Sequence, residues 1–138
     1  MAAFQKFNAF VEDLAEKVHN LGSDAIKVAL CAAANAPVAT NSVLANLTEI
    51  VYTNCSSRAV TTTSSAQTSG TYKLILADLV LTASGGSVGP FRYVVLYNDT
   101  AASKNLIGFY DNGADVTLNS GDSFTIDFDQ VAGAIQIS

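Results

Sequence analysis

The chain has 138 residues, 49% of them hydrophobic and only 14% charged, with a net charge of −5 and a pI near 4.5. Its seven basic residues are scattered from Lys6 to Lys104, which excludes a surface built to track nucleic-acid phosphates. No apolar run approaches membrane-spanning length, and Lys6, Glu12, Asp13, Glu16 and Lys17 interrupt the N-terminus where a signal peptide would need an unbroken apolar centre, so neither a membrane partner nor export is expected.

This length predicts a single domain over 1–138, large enough to bury a core without metal or disulfide. Soluble domains usually carry about a quarter charged residues. A chain this apolar, with a mean hydropathy of +0.30, is expected to self-associate or to dock on a larger body. Synthesis in a cytoplasm leaves Cys31 and Cys55, 24 residues apart with no CxxC, as expected free thiols.

Residues 4–18 carry Phe4, Phe7, Phe10, Val11, Leu14 and Val18 at spacings of three and four. That period predicts one amphipathic helix within an N-terminal unit 1–22, with Asp13 and Lys17 paired on its polar face and Gly22 as its stop. From residue 25 the period becomes two. In AIKVALC, Ile26, Val28 and Leu30 point one way, and Ala25, Lys27, Ala29 and Cys31 the other.

AAANAPVATNS reads as a loop broken by Pro37, and VLANLTEI (43–50) as a short helix or turn with Ser42 as its cap. SSRAVTTTSSAQTSG (56–70) has the composition of a polar edge strand leading into a loop. TYKLILADLVLTA (71–83) is apolar on both faces and predicts one central strand. SGGSVGP then turns a corner into the strand FRYVVLY (91–97). A phosphate loop would need a helix after its glycines, and here a proline and β-branched residues follow.

NLIGFY is expected to end at a DNGAD turn, VTL at an NSGD turn, and SFTIDFD to alternate with Phe124, Ile126 and Phe128 inside and Ser123, Thr125, Asp127 and Asp129 outside. Turn signals every 8–12 residues or so point to an antiparallel β-sandwich over 23–138. The fold class is therefore mainly β, a jelly-roll-like antiparallel sandwich with one N-terminal amphipathic helix.

The motifs do not point to catalysis. Asp111 to Asp115 resembles a fragment of a calcium loop but lacks its remaining ligands, and Asp-Asn-Gly is a turn sequence in its own right. Asp127 and Asp129 would lie about 7 Å apart on one strand face, where solubilising charge is the plain reading and a glycosidase pair the sharper one. His19 is the only histidine, at the end of the predicted helix. Neither a Gly-x-Ser-x-Gly elbow nor an activated cysteine is present, so an enzyme is not expected, and no cofactor is called for. Of the five tyrosines, Tyr93 and Tyr97 are expected on one face with Phe91 and Val95, as core or subunit contact rather than a sugar platform.

FNAFVEDLAEKVHNLGSDAIKVAL, VLANLTEI, SSAQTSGTYKLILADLVLTASGGSVGPFRYVVLYND and LIGFYDNGADVTLNSGD together resemble small structural proteins of tailed bacteriophages, of the capsid decoration or cement kind. The resemblance implies a β-rich domain on the outside of the head, bound to the major capsid protein as a homotrimer that strengthens the shell. Candidate oligomer or capsid contacts are then Phe4, Phe7, Phe10, Phe91, Tyr93 and Tyr97, with the helix or the 32–48 loop touching the shell. Helix as anchor and helix as core both remain open at this point. The alternative is a tail or fibre accessory protein that binds a host glycan.

Overall fold

The computed structural model describes residues 2–138. In chain order the elements are β1 (Gln5–Lys6), α1 (Asn8–Ala15), β2 (Ile26–Cys31), β3 (Ala59–Val60), β4 (Thr62–Thr68), β5 (Thr71–Leu76), β6 (Leu79–Thr82), β7 (Val88–Asn98), β8 (Leu106–Leu118), β9 (Ser123–Ile126) and β10 (Ile135–Ile137). A five-stranded sheet runs β1-β8-β7-β2-β3, a three-stranded sheet runs β10-β5-β4, and β6 pairs with β9. All pairings are antiparallel. The fold is a β-sandwich with one short helix near its N-terminus, as the period-two pattern and turn spacing predict.

The alternation in the sequence becomes layering. Ile26, Val28 and Leu30 of β2 join Val94 and Leu96 of β7 on the inner face of the large sheet, against Leu74, Leu76, Leu81 and Ile126 of the smaller sheets. The other face of β2 is buried too. Ala29 and Cys31 pack with Val95, Tyr97 and Phe109 under Phe7, Leu44 and Leu47. The large sheet is thus covered on both sides, which accounts for the high apolar content without any partner. In SFTIDFD, Ile126 and Phe128 are buried, Phe124 half-buried and the intervening residues exposed, as the alternation requires.

Six expectations need correction. The N-terminal helix spans eight residues, not 4–18. Gln5 and Lys6 instead pair with Phe109 and Gly108 on the open edge of β8, where the backbone gains sheet hydrogen bonds. Gly108 suits the close pairing there, because a Cβ would lie 2.8 Å from the Gln5 carbonyl oxygen as well as against the Phe4 ring. The helix stops well before Gly22, since Lys17 lies in the left-handed region at φ 72°. Asp13 therefore does not pair with Lys17 and accepts a hydrogen bond from Asn105 Nδ2 at 3.0 Å.

Residues 71–83 form two strands in different sheets rather than one. Asp78 marks the break, accepting Phe128 N–H at 3.0 Å and so turning the chain between sheets. The DNGAD segment does not end a strand. β8 continues through it as a wide bulge, with Tyr93 opposite Asp111 but Phe91 opposite Val116. Gly113 at φ 82° permits the bulge, and Arg92 pins it by donating to Asp111 at 2.8 and 3.2 Å. The register shift between Phe91 and Tyr93 places these two on opposite faces, so Phe91 does not share a face with Tyr93, Val95 and Tyr97.

SGGSVGP turns a corner as expected, with Gly85 and Gly89 at φ 79° and 108°. β4 is the polar edge strand, ending at the Ser69-Gly70 turn into β5. Residues 32–58 contain no strand. They are stitched down by Leu106 N–H to Ser42 O (2.9 Å), Leu44 N–H to Lys104 O (3.0 Å) and Ile50 N–H to Leu30 O (2.9 Å). Asn46 Oδ1 accepts the N–H groups of Ser42 and Val43 and closes the turn at Leu44.

Candidate functional site

Most of the six residues expected to form a contact surface belong to the interior. Phe7 and Phe91 are fully buried, and Phe10 and Tyr97 retain 4% and 3% exposure. They pack against this chain's own strands, with Phe7 ring to ring with Phe109 at 5.2 Å and Phe91 edge-on to Phe124 at 5.4 Å. Only Phe4 and Tyr93 are half-exposed. A helical apolar stripe is the same signal whether the stripe faces a partner or its own sheet, and here it faces the sheet.

The tyrosines are dispersed. The Tyr52 hydroxyl donates to Glu49 Oε1 (2.7 Å) and accepts from Leu30 N–H (2.9 Å), while the Arg58 guanidinium lies 3.6 Å from its ring centre. Burial, and then the bond to Glu49, push this phenol far up, so it is a structural clasp. Tyr72 shares a hydrogen bond with Ser65, and Tyr97 is in the outer core. Cys31 and Cys55 are free thiols, and burial with the Glu49 carboxylate nearby raises Cys31 to about 11, which makes it a poor nucleophile at neutral pH.

His19 sits in a polar network that the sequence did not announce. Asn98, with no solvent exposure, accepts the backbone N–H groups of Thr100 and Ala101 on Oδ1 at 2.9 and 3.1 Å. Backbone amides can only donate, so the side-chain amide is oriented with its NH2 toward His19 Nδ1 (3.0 Å) and Asp24 Oδ2 (2.6 Å). Nδ1 must then accept, and the ring proton resides on Nε2. That atom is sealed from solvent with no hydrogen-bond partner among the described residues.

A second proton on His19 would go to Nδ1 and face the Asn98 NH2 group donor to donor. Burial lowers the His19 pKa, with Asp13 and Asp24 opposing. In the unfolded chain the histidine protonates near pH 6.5, in the folded chain only at lower pH. Between those values the unfolded state holds the extra proton, so stability is full above about pH 6.5 and falls as pH falls. Urea midpoints measured from pH 7.5 to 5 should therefore decline. His19→Asn, which keeps an acceptor near the Nδ1 position and cannot titrate, should flatten that part of the profile. The half-buried Asp99 and Asp111 and the exposed Asp129, whose pKa values are lowered by their ion-pair and hydrogen-bond partners, lose their contributions only below the ordinary carboxylate range.

The strongest candidate site is a cleft of about 450 Å³ that brings together Phe4, Tyr110, Asp127 and Asp129 beside the small residues Gly133 and Ala134. Asp127 and Asp129 follow β9 on its outer face, where period-two alternation aims both the same way. Asp129 Oδ1 accepts the N–H groups of Val131 and Ala132, both at 2.8 Å, and these bonds hold its pKa below the usual value. It is fixed as an anion rather than poised as a general acid. Tyr110 lies between the Phe4 and Phe128 rings at 5.6 and 6.1 Å, and burial with the Asp129 charge raises its pKa to about 12.

The arrangement can bind; a donor-rich or cationic group suits it better than an anion. Asp127 and Asp129 were legible as a same-face pair. Tyr110 and Phe4 were not, because the bulge in β8 and the edge pairing of β1 decide where they point. Asp111, the first residue of the calcium-like fragment, is committed to Arg92 and Gly113 N–H. Among the described residues no group of three or more His, Cys, Asp or Glu could hold a metal ion. The chain matches no protein-family model, no curated protein and no solved structure.

Proposed function

We propose that this chain is a structural protein of a tailed-phage virion, a decoration or cement protein that binds the outside of the head through the major capsid protein and acts as an oligomer, with a homotrimer as the expected form. Support comes from the sequence resemblance and from one structural observation in particular. The 27-residue stretch 32–58 carries no strand, yet it is hydrogen-bonded down over the large sheet. Ordered connections of that length are uncommon in compact domains and usually serve binding. This one presents Val38 at 53% and Val51 at 76% exposure on a backbone already organised for contact. With Phe7 and Phe10 in the core, the loop rather than the helix is the reading for the shell contact.

Antibody labelling of phage particles viewed by electron microscopy tests the assignment. Label over the head supports decoration, and particles without label overturn the virion reading. Label confined to the tail selects the glycan-binding alternative. For the loop, Val38→Asp with Val51→Asp should abolish head binding by the purified protein while circular dichroism stays unchanged. Undiminished binding by that variant removes the loop from the contact.

A further inference from the structure

We infer that the cleft between the N-terminal segment and the β9–β10 connection is a receptor site for a guanidinium group, in practice an arginine side chain on the surface of a protein partner. Four features carry the inference. Two carboxylates line one opening, and one of them, Asp129, is held ionised by two backbone N–H groups that occupy Oδ1 and leave Oδ2 free. The adjacent Phe4 ring supplies an aromatic wall for a planar cation.

Tyr110 lines the same cleft at 5% exposure, and its hydroxyl makes no hydrogen bond among the described residues. Its ring lines the cleft between the Phe4 and Phe128 rings. A phenol with no protein partner among the described residues, in a cleft that also holds two carboxylates, can take a hydrogen bond from a ligand. The small residues Ala2, Ala3, Gly133 and Ala134 leave the space.

A guanidinium suits these groups better than an ammonium or a sugar. Its planar fork can bind the carboxylates side-on, reach the phenol oxygen with a third N–H, and stack on Phe4. Both carboxylates are exposed, so the affinity for an isolated ligand is expected to be weak, about 1–10 mM. Weak contacts of this kind become useful when several copies engage one surface at once. The identity of the partner rests on the virion reading; the chemistry of the cleft does not.

The test is a titration of the 15N-labelled full chain with acetyl-arginine amide, followed by NMR, with acetyl-citrulline amide as the uncharged isostere. Saturable shifts centred on Asp127, Gly133 and Ala134, absent with citrulline, are expected. Asp127→Asn should weaken binding about five-fold, and Tyr110→Phe a few-fold. Equal responses to arginine and citrulline overturn the proposal, as do shifts that never saturate or that ignore both substitutions. Saturation by galactose with no response to arginine also overturns it, in favour of a polyol site. Arginine binding together with unlabelled particles would leave the cleft assignment standing and sink the virion reading alone.

Discussion

Phe7→Ala is expected to destabilise the protein by about 3–5 kcal/mol, the range for deleting a fully buried aromatic side chain. Phe7 has no solvent exposure, packs on Phe109, and its N–H donates to Ile107 O at 3.2 Å. The next residue ties the helix to the long loop, Asn8 N–H donating to Ala39 O at 2.9 Å. Removing residues 2–15 would strip β1 from the edge of β8, uncover the Phe7 and Phe10 sites and free one side of the loop at once. That truncated chain should show no cooperative unfolding transition in urea. A truncated chain that still unfolds cooperatively near the parent midpoint would make the N-terminal segment an appendage, and would return it to consideration as an anchor.

The second large effect is expected at Asn98. Asn98→Asp is nearly isosteric, but it exchanges a buried donor pair for a carboxylate pointed at Asp24 Oδ2, an atom the native amide approaches to 2.6 Å. The cost at pH 8 should be about 3–5 kcal/mol, as for an uncompensated buried charge. The same carboxylate faces His19 Nδ1 and would favour a proton there. So the penalty should shrink as pH falls from 8 toward 5.5, opposite to the trend expected of the native protein. Urea unfolding of both proteins at the two pH values checks it. Parallel pH slopes would mean that the Asn98 amide does not set the histidine's protonation.

What the sequence could and could not reveal follows from where each pattern originates. Alternation in AIKVALC and SFTIDFD is local, because side chains alternate along any strand, and both segments keep the predicted faces. The break at Asp78 is not local. Ala-Asp within an apolar run has no turn signature of its own, and the deciding hydrogen bond comes from Phe128, fifty residues away. Phe91 and Tyr93 share parity in the sequence, yet the bulge on the neighbouring strand separates them. The phenylalanine period at the N-terminus was real, but spacing fixes only relative direction, and an open edge on β8 took residues 5–6 out of the helix. In the cleft, the two aspartates came from period-two reading, while the Tyr110 environment depends on three segments distant in the chain.

The two ends of the large sheet are closed by β1 and β3, each two residues long. Strands that short leave little continuous backbone for another chain to copy, a device natural sheets use against fibril growth. Two longer borders remain: β4, which is Ser- and Thr-rich with its register broken between Thr62 and Ser64, and β8 beyond Phe109, which the bulge after Asp111 interrupts. High local concentration, as on a crowded surface or during rapid synthesis, therefore does not hand the molecule a template for sheet-to-sheet polymerisation. Any ordered array it joins must be specified by side-chain surfaces, which gives the array a finite geometry instead of an open-ended one.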